Sequence, residues 1–598
     1  MELHFATVWE ALADEIGDVT ALVHGDTRRT WAEFDDRAAR VAAAFTAAGL
    51  GPDSKIGLFL YNGNEYLEAQ YAAFKMRGVA INVNYRYLDE ELWYLLDNAD
   101  AEALVFHSSL ADRVAHVVGR LPKLRLLIQV DDGPAADSVP GAVAWADVMA
   151  GHDPMPRITR AEDDVYMLYT GGTTGMPKGV MYAVGGMTAG YLSSGFPLLG
   201  LPVPASPAEV ATLVRQATDA GNRLISIPCA PLMHGTGIWL GAFIPLLAGG
   251  QVVTLQQRSF DADELLRVIQ AERVTNITIV GDVFAKPIVG AIDAAAAAGT
   301  PYDTLSMKMI VSSGVMFTSE MKEQVLDRIE QVVIVDAMGS TEGAMGLNIS
   351  MKGVPPATAK FSQMPDTKVF TEDGRPVLPG SGEVGLVAAG GNVPFGYYKD
   401  PDKSARTFRV IDGVRYSFPG DMATVAEDGS LILLGRGSQV INTGGEKVFP
   451  EEVEEAVKRV AGVKDCLVVG LDDERFGQAV TAVASLEPGA IVDEATVIAD
   501  VKRQLAGYKA PKRVVFVDDV PRAPNGKADY PAARTLPSLH ISNAFTRLSS
   551  HSLPPSASTT SRANTRHAPN FILPPARACS TLALPVEGST MAHDGTVA

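Results

Sequence analysis

The chain has 598 residues, of which 47% are apolar and 20% are charged, and its formal net charge is −19. This length exceeds what one hydrophobic core usually organises, and the composition excludes a disordered or fibrous protein. The negative charge disfavours nucleic-acid binding, which depends on many phosphate contacts from Lys and Arg, so we expect a few local cations and backbone amides to hold any anionic ligand.

The chain begins with MELHFATVWEALADEIGD, which lacks the basic leader and apolar core of a signal peptide. The first two-thirds then alternates short β-branched segments with longer helical ones, which predicts crossover units around sheets with parallel strands. The predicted strands are residues 55–60, 102–106, 124–130, 276–280 and 307–313. Predicted helices over residues 35–49 and 64–78 each close on glycine, as helices often do.

The segment from Leu224 to Gln257 contains no Asp, Glu, Lys or Arg and is nearly long enough to suggest a membrane span. Pro245 and the Gly249–Gly250 pair interrupt it, which is typical of a short buried helix followed by a strand. We therefore predict a buried core element and no transmembrane segment.

After Gly435 the alternation restarts on a smaller scale with a helix beginning at Pro450, strands at residues 465–470, 480–486 and 513–517, and a helix over residues 493–506. From Thr535 the composition shifts to Ser, Thr, Pro and Ala without apolar periodicity, which predicts disorder. The predicted fold class is α/β: a large domain of sheets flanked by helices (residues 1–434), a small mobile α+β domain (435–534) and a tail (535–598).

The stretch YTGGTTGMPKGV, residues 169–180, combines four glycines, three threonines and one lysine after an apolar strand. Such glycines let backbone amides approach phosphate oxygens, while hydroxyl groups and an ammonium add further donors. It is not a Walker loop, because Met176 and Pro177 stand where that motif requires glycine before the lysine. We predict nucleotide phosphate contacts from Thr170, Gly172, Thr173, Thr174, Gly175 and Lys178.

This stretch closely resembles the YTSGTTGxPKG signature of the adenylate-forming (ANL) superfamily, which includes acyl-CoA synthetases, luciferases and nonribosomal adenylation domains. Gly171 replaces the usual serine. Further family signatures follow in order up to Lys527, so the resemblance covers all of the chain except its tail. The stretches NVNYRY, IVGDVFAKP and MHGTG look similar to actinobacterial CoA ligases for fatty acids or steroid side chains.

Two further motifs resemble ANL family signatures, and the resemblance implies that they contact the nucleotide in the large domain. In MGSTEG, residues 338–343, the resemblance implies that Thr341 contacts phosphate, that Gly339 and Ser340 bind the nucleotide, and that Glu342 binds Mg²⁺ through a hard oxygen ligand. A helix cap with Glu in its first turn is the alternative for this motif alone. The stretch SSGVMFTSE, which begins at Ser312, resembles the family's adenine-contacting strand and turn. The resemblance implies that adenine lies against Gly314.

Motifs near the domain boundary imply contacts with ribose and coenzyme A. In YSFPGD, Asp421 would accept both ribose hydroxyls, as a carboxylate can. In GRGSQVINTGGEK, Arg436 would contact ribose or phosphate, and Ser438 occupies the pivot where Asp or Lys is usual. Gly444 and Gly445 would let this loop approach the pantetheine arm, with an exposed turn as the alternative.

Lys527, in PRAPNGKADY, matches the family's catalytic lysine. Its ammonium would offset the negative charge that gathers between the substrate carboxylate and the α-phosphate. In PLMHGTG, His234 would gate acyl entry or position the thiol, although such a histidine is often structural. The resemblance also places an acyl pocket among residues 280–284, Gly314 and residues 337–343, and we expect the segment Gly185–Asn222 to shape its entrance.

The implied function is an ATP-dependent acyl-CoA synthetase that uses ATP, Mg²⁺ and coenzyme A to convert a carboxylic acid, through an acyl-AMP, into acyl-CoA, AMP and pyrophosphate. A fatty acid or steroid side-chain acid is the expected substrate. The alternatives are an acyl-AMP ligase serving a carrier protein, a luciferase-like oxygenase, and a non-catalytic nucleotide-binding regulator. Three widely spaced cysteines without metal-ligand spacing predict a reducing compartment, the cytoplasm. No oligomeric state follows from the sequence.

Overall fold

The computed structural model describes residues 3–133, 139–172, 175–443, 446–473, 477–523 and 527–536. Most of the predicted tail, residues 537–598, lies outside the described residues. The helices are α1 (Phe5–Glu15), α2 (Trp31–Ala47), α3 (Asn64–Lys75), α4 (Asp89–Asn98), α5 (Ala111–Val118), α6 (Trp145–Gly151), α7 (Val184–Leu198), α8 (Pro207–Asp219), α9 (Ile244–Leu247), α10 (Ala262–Glu272), α11 (Gly281–Ala297), α12 (Ser319–Arg328), α13 (Pro401–Thr407), α14 (Pro450–Lys458) and α15 (Glu494–Gln504).

The strands are β1 (Thr20–His24), β2 (Thr27–Thr30), β3 (Lys55–Phe59), β4 (Val79–Asn82), β5 (Ala101–His107), β6 (Leu126–Val130), β7 (Val143–Ala144), β8 (Val165–Gly172), β9 (Gly175–Ala183), β10 (Ile225–Pro228), β11 (Gln251–Thr254), β12 (Asn276–Ile279), β13 (Met309–Ser313), β14 (Val333–Ser340), β15 (Gly343–Ser350), β16 (Lys360–Gln363), β17 (Thr367–Phe370), β18 (Gly385–Ala389), β19 (Gly396–Tyr397), β20 (Phe408–Ile411), β21 (Val414–Ser417), β22 (Asp421–Val425), β23 (Leu431–Arg436), β24 (Ile441–Thr443), β25 (Glu446–Val448), β26 (Val463–Asp473), β27 (Gly477–Leu486) and β28 (Arg513–Phe516).

The predicted elements of the first two-thirds are present, with boundaries moved by a few residues. The strands predicted at residues 55–60, 102–106 and 276–280 are β3, β5 and β12, and α2 and α3 are the two predicted helices. Local capping explains why α2 starts four residues early: the Thr30 side chain accepts from the Glu33 amide, and the Glu33 carboxylate accepts from the Thr30 amide.

Two sheets of the large N-terminal part hold parallel strands. The strands of one, ordered β4-β3-β5-β6-β7, are all parallel. A larger sheet begins with β2-β1-β11-β10-β12-β13-β14, parallel from β1 to β14, and continues through antiparallel strands to β20. The change from parallel to antiparallel pairing occurs at the β14–β15 hairpin, and β8 and β9 form a separate hairpin with β19.

The interruption of the apolar segment at residues 224–257 is confirmed. It contains strand β10, a π-helical stretch Thr236–Phe243, helix α9 and strand β11, most of it buried. Gly237 is required here, because a Cβ would stand 2.2 Å from the Pro231 carbonyl oxygen. None of the helices in the described ranges combines the length and the apolar character needed to cross a bilayer.

The C-terminal part has its own sheet, ordered β25-β24-β27-β26, with β28 parallel to β27. Helix α14, which begins at Pro450 as predicted, buries Val453, Ala456 and Val457 against it. The α/β fold class, with a large sheet domain followed by a smaller α+β unit, is confirmed. The exact boundary at 434/435, which falls inside β23, stays a prediction.

Candidate active site

A cavity of about 840 Å³ opens at the carboxyl ends of the parallel strands β11, β10, β12, β13 and β14. The residues that follow these strands line it, as ligand sites of open α/β sheets commonly do. Within the described chain, its wall includes the following predicted site residues: Thr170, His234, Gly314, Gly339, Ser340, Thr341 and Lys527.

Lys527 enters this cavity from the C-terminal part of the chain. Its Cε lies 3.9 Å from the point where a Cβ would stand at Gly314, and the Thr236 Oγ1 lies 3.6 Å from the same point. Gly314 has φ +97°, a conformation that other residues rarely adopt. Because Gly314 has no side chain, its backbone in the turn after β13 lies directly beside the Lys527 side chain.

The MGSTEG motif forms the β14–β15 hairpin and not a helix cap. The Ser340 hydroxyl accepts from the Glu342 amide at 3.1 Å, which orders the two-residue turn. Tyr182 donates from its hydroxyl to the Thr341 carbonyl at 3.0 Å, and Tyr397 donates to the Glu342 Oε1 at 2.8 Å. The hairpin thus places Gly339, Ser340 and Thr341 in the cavity wall.

Met338 in the same hairpin is 6% exposed and packs in a hydrophobic cluster with Phe361 and Val387. The neighbouring Gly339 lines the cavity. The structure therefore gives Met338 a core role.

The glycine-threonine stretch occupies both strands of the β8–β9 hairpin. Thr170 pairs with Lys178 across the hairpin, and Gly172 pairs with Gly175. Thr173 and Thr174, which the sequence predicts to contact phosphate, lie outside the described residues. The Lys178 ammonium pairs with the Asp400 carboxylate, an interaction that lowers the pKa of Asp400.

The predicted ribose contacts lie on neighbouring strands. Asp421 begins β22 and pairs in register with Arg436 at the end of β23. Asp421 is not among the described residues that line the cavity. Gly444 and Gly445, predicted to approach pantetheine, fall outside the described residues.

His234 lines the cavity on the same side as Thr236 and close to Lys527. Burial, followed by the positive charges of Lys527 and Arg86, lowers the pKa of His234 to about 4. The imidazole is therefore neutral at pH 7, and it can accept or donate one hydrogen bond without adding charge.

Asn82 is a site residue that sequence reasoning missed. Its side-chain oxygen accepts from the Tyr169 amide at 2.7 Å, while its amide donates to the carbonyls of Tyr169 at 2.8 Å and Met233 at 2.7 Å. Asn82 thus joins the first residue of the glycine-threonine stretch to the residue before His234. Its place at the carboxyl end of β4 was a signal, but its partners are 87 and 151 residues away.

Many of the residues that line the cavity are apolar or aromatic. As predicted, residues at 280–284, Gly314 and residues at 337–343 line the cavity. Large side chains from other elements join them: Tyr191, Trp239, Leu240, Leu255 and Phe260. The expected contribution of segment Gly185–Asn222 comes from α7, whereas α8 packs against α1 and buries Val210 and Val214 in the core. A role of α8 at the entrance stays a prediction.

Comparisons with known proteins identify the family of the chain. The model of the AMP-binding enzyme family matches residues 9–398, and that of the AMP-binding enzyme C-terminal domain matches residues 452–527. A 3-oxocholest-4-en-26-oate–CoA ligase of Rhodococcus rhodochrous is 38% identical over 540 residues, covering 89% of this chain and 95% of its own. The medium-chain acyl-CoA ligase Mig of Mycobacterium avium is 39% identical, covering 88% and 97%.

Among solved structures, ATP-bound MatB from Rhodopseudomonas palustris has a TM-score of 0.74 at 24% identity, covering 90% of this chain and 99% of its own. This likeness supports the fold. The chain belongs to the AMP-binding enzyme family. The predicted superfamily and the predicted class, an AMP-forming acid–thiol ligase, are confirmed by these relatives.

Proposed function

We propose that this protein is an ATP-dependent acyl-CoA ligase that activates a lipophilic carboxylic acid as acyl-AMP and transfers the acyl group to coenzyme A. The observation that carries the proposal is the position of Lys527. An ammonium from the C-terminal part reaches the cavity that also contains Gly314 and Thr341.

In the first half-reaction, a carboxylate oxygen attacks the α-phosphate of ATP and pyrophosphate leaves. Both reactants are anions, so their approach concentrates negative charge. Lys527 would offset this charge at the reacting atoms, and Thr341 would hold a phosphate oxygen by hydrogen bonding. Asn82 contributes by fixing the backbone of Tyr169 at the start of the phosphate-binding stretch.

The donor set fits a magnesium ion that is shared with the nucleotide. Within the described residues no group of three or more acidic, histidine or cysteine side chains could enclose a metal. Mg²⁺ is, however, commonly held by one or two carboxylates together with substrate phosphates and waters. Glu342, between the cavity-lining residues Thr341 and Gly343, would supply such a carboxylate, and Tyr397 orients it through its hydroxyl. Bound Mg²⁺ would neutralise phosphate charge.

In the second half-reaction, the sulfur of coenzyme A attacks the acyl carbon and AMP leaves. Lys527 is then no longer needed, and a rotation of the C-terminal part would withdraw it and open a path for the thiol. Neutral His234 would position the incoming acid or thiol, because it can hydrogen-bond without repelling the cationic Lys527.

Apolar and aromatic residues in the cavity wall support a lipophilic acid as the substrate. Trp239, Phe260 and Phe284 are side chains that favour a hydrocarbon over a small polar acid. The relatives named for a steroid side-chain acid and for medium-chain acyl groups support a fatty acid or steroid side-chain acid. We place the reaction in the cytoplasm, in keeping with the free thiols of Cys229 and Cys466.

A panel of fatty, steroid side-chain and aryl acids tests the proposal through AMP release. Release that requires both an acid and coenzyme A supports it. Acyl-AMP formation without transfer to free coenzyme A would instead indicate a ligase that serves a carrier protein. Absence of AMP with every acid, despite ATP binding, would indicate a non-catalytic regulator.

Lys527→Ala tests the role of the lysine. It should lose acyl-AMP formation yet keep most acyl transfer from supplied acyl-AMP to coenzyme A, because only the first step needs the ammonium. Lys502→Ala, an exposed lysine on α15, is the matched control and should change neither step. Equal loss of both steps in Lys527→Ala would contradict the assigned role.

A further inference from the structure

Lys527 lies in one of two paired segments, residues 521–523 (the outgoing arm) and 527–530 (the returning arm), which we call the hairpin. Both arms are held to the C-terminal sheet. Arg522 forms an antiparallel bridge with Ala528, and the Ala523 amide donates to the Lys527 carbonyl at 2.7 Å. The Asp529 amide also donates to the Pro521 carbonyl at 3.2 Å. These bonds fix the shape of the hairpin but do not orient it relative to the rest of the protein.

A bidentate ion pair between Arg522 and Asp465 anchors the outgoing arm. Arg522 donates from Nε to the Asp465 Oδ2 at 2.7 Å and from Nη2 to Oδ1 at 2.8 Å. Both side chains are about three-quarters buried, with exposures of 21% and 24%. Asp465 lies on β26, and the charge of Arg522 helps to lower its pKa although burial acts in the opposite direction. A bidentate pair of this kind constrains orientation as well as distance.

The returning arm has a second anchor, which lies within the electrostatic reach of Arg522. Tyr530, three residues after Lys527, hydrogen-bonds the carboxylate of Glu454 on α14, and that carboxylate also accepts from the Val468 amide of β26 at 2.9 Å. Tyr530 is 8% exposed and packs with Leu467 and Val469. The two arms are thus held to the same strand, one by Arg522 and the other by Tyr530.

We propose that Arg522, held by Asp465, is a positioning residue that aims Lys527 into the cavity for acyl-AMP formation. A lysine side chain has many rotamers, so the precision of its ammonium depends on how firmly its backbone is held. The ion pair supplies that constraint from outside the cavity. This inference rests on the proposed function for its catalytic consequence, whereas the anchoring of the hairpin is independent of it.

Arg522→Gln provides the catalytic test. We expect acyl-AMP formation to slow by 10-fold to 100-fold, the KM for ATP to change by less than about twofold, and acyl transfer from supplied acyl-AMP to stay within about twofold of wild type. Asp465→Asn keeps an oxygen acceptor, so it should slow the same step by a smaller factor and leave the KM for ATP and acyl transfer as in Arg522→Gln. Arg503→Gln, on the exposed Arg503–Asp500 pair of α15, is the matched control and should leave both steps unchanged. Equal slowing of both steps, or no slowing, would overturn the inference.

Hydrogen exchange of the full-length protein gives a readout that does not need activity. In Arg522→Gln, amides of residues 527–530 should exchange at least tenfold faster, while those of β26 keep their wild-type rates. Unchanged exchange at residues 527–530 overturns the positioning role even if activity falls. A wild-type protein that forms no acyl-AMP but shows faster exchange in the variant would overturn the proposed function and leave the anchoring intact.

Discussion

The Cε of Lys527 lies 3.9 Å from the point where a side chain would begin at Gly314, although 213 residues separate the two in the sequence (527 − 314). Gly314 follows strand β13 of the large sheet, and Lys527 comes from the C-terminal part. This proximity joins the two parts of the chain at one reaction site and leads directly to the first prediction.

Gly314→Ala should impair acyl-AMP formation. A residue other than glycine at φ +97° costs roughly 1–3 kcal/mol of backbone strain, and relief of that strain would move the wall beside Lys527. We expect a loss of about tenfold or more in the first half-reaction, measured as acid-dependent pyrophosphate release. Gly290→Ala on α11, where the added Cβ meets no atom within 4 Å, should keep full activity and raise Tm slightly. Wild-type rates in Gly314→Ala would contradict the prediction.

Glu342→Gln should raise the Mg²⁺ concentration needed for half-maximal activity by about tenfold, because an amide oxygen is a weaker ligand for a hard cation than a carboxylate. The amide can still accept from the Tyr397 hydroxyl, so Tm should change little. Tyr397→Phe is the control that keeps the carboxylate and loses only its orienting bond; its Mg²⁺ requirement should rise by less. An unaltered Mg²⁺ titration in Glu342→Gln would remove Glu342 from the metal site.

Asn82→Ala should destabilise the protein and slow catalysis together. The substitution leaves two buried carbonyls and one buried amide without the side chain that they bond, at roughly 1–3 kcal/mol for each group that stays unsatisfied. We expect a Tm lowered by several degrees. Asn84→Ala, which removes one local bond to the Arg86 amide, should change Tm by far less. Similar Tm values in the two variants would show that Asn82 does not brace the site.

The protein should lose stability in mild acid, because buried His4 is neutral in the folded state and readily protonated in the unfolded state. The His4 Nδ1 accepts from the Ala6 amide at 3.1 Å and caps α1, and burial with the charges of Arg160 and Arg77 lowers its pKa to about 3, despite Asp164 at 3.6 Å. Because the folded pKa lies below the unfolded value of 6.5, this contribution is complete above pH 6.5 and declines as the pH falls toward 3. At pH 5 the free energy of unfolding is about 2 kcal/mol lower than it is well above pH 6.5.

Thermal unfolding at pH 7 and pH 5 measures this effect. His4→Asn keeps a good capping acceptor without a titrating group, so its Tm should fall less between the two pH values than that of the wild type. His152→Asn, at the residue after α6, controls for the loss of a histidine as such. Equal Tm decreases in wild type and His4→Asn would contradict the assignment.

The amino-acid sequence by itself determined the elements and the family. Apolar periodicity is local, so β3, β5, β12, α2 and α3 were predicted to within a few residues. Glycine and hydroxyl residues at close spacing led to the prediction of a phosphate-binding stretch. The interruption of the 224–257 segment was likewise readable from Pro245, Gly249 and Gly250. These features depend on neighbours within one or two turns of the chain.

Only the tertiary structure decided which residues meet. A hairpin and not a helix carries Thr341 and Glu342, since the sheet pairs β14 with β15 and supplies the backbone partners that a helix would otherwise provide. Asn82 and the Arg522–Asp465 pair act through partners 57 to 151 residues away, a distance over which no local pattern operates. Burial likewise gives His234 its lowered pKa, because desolvation arises only when distant segments close around the imidazole.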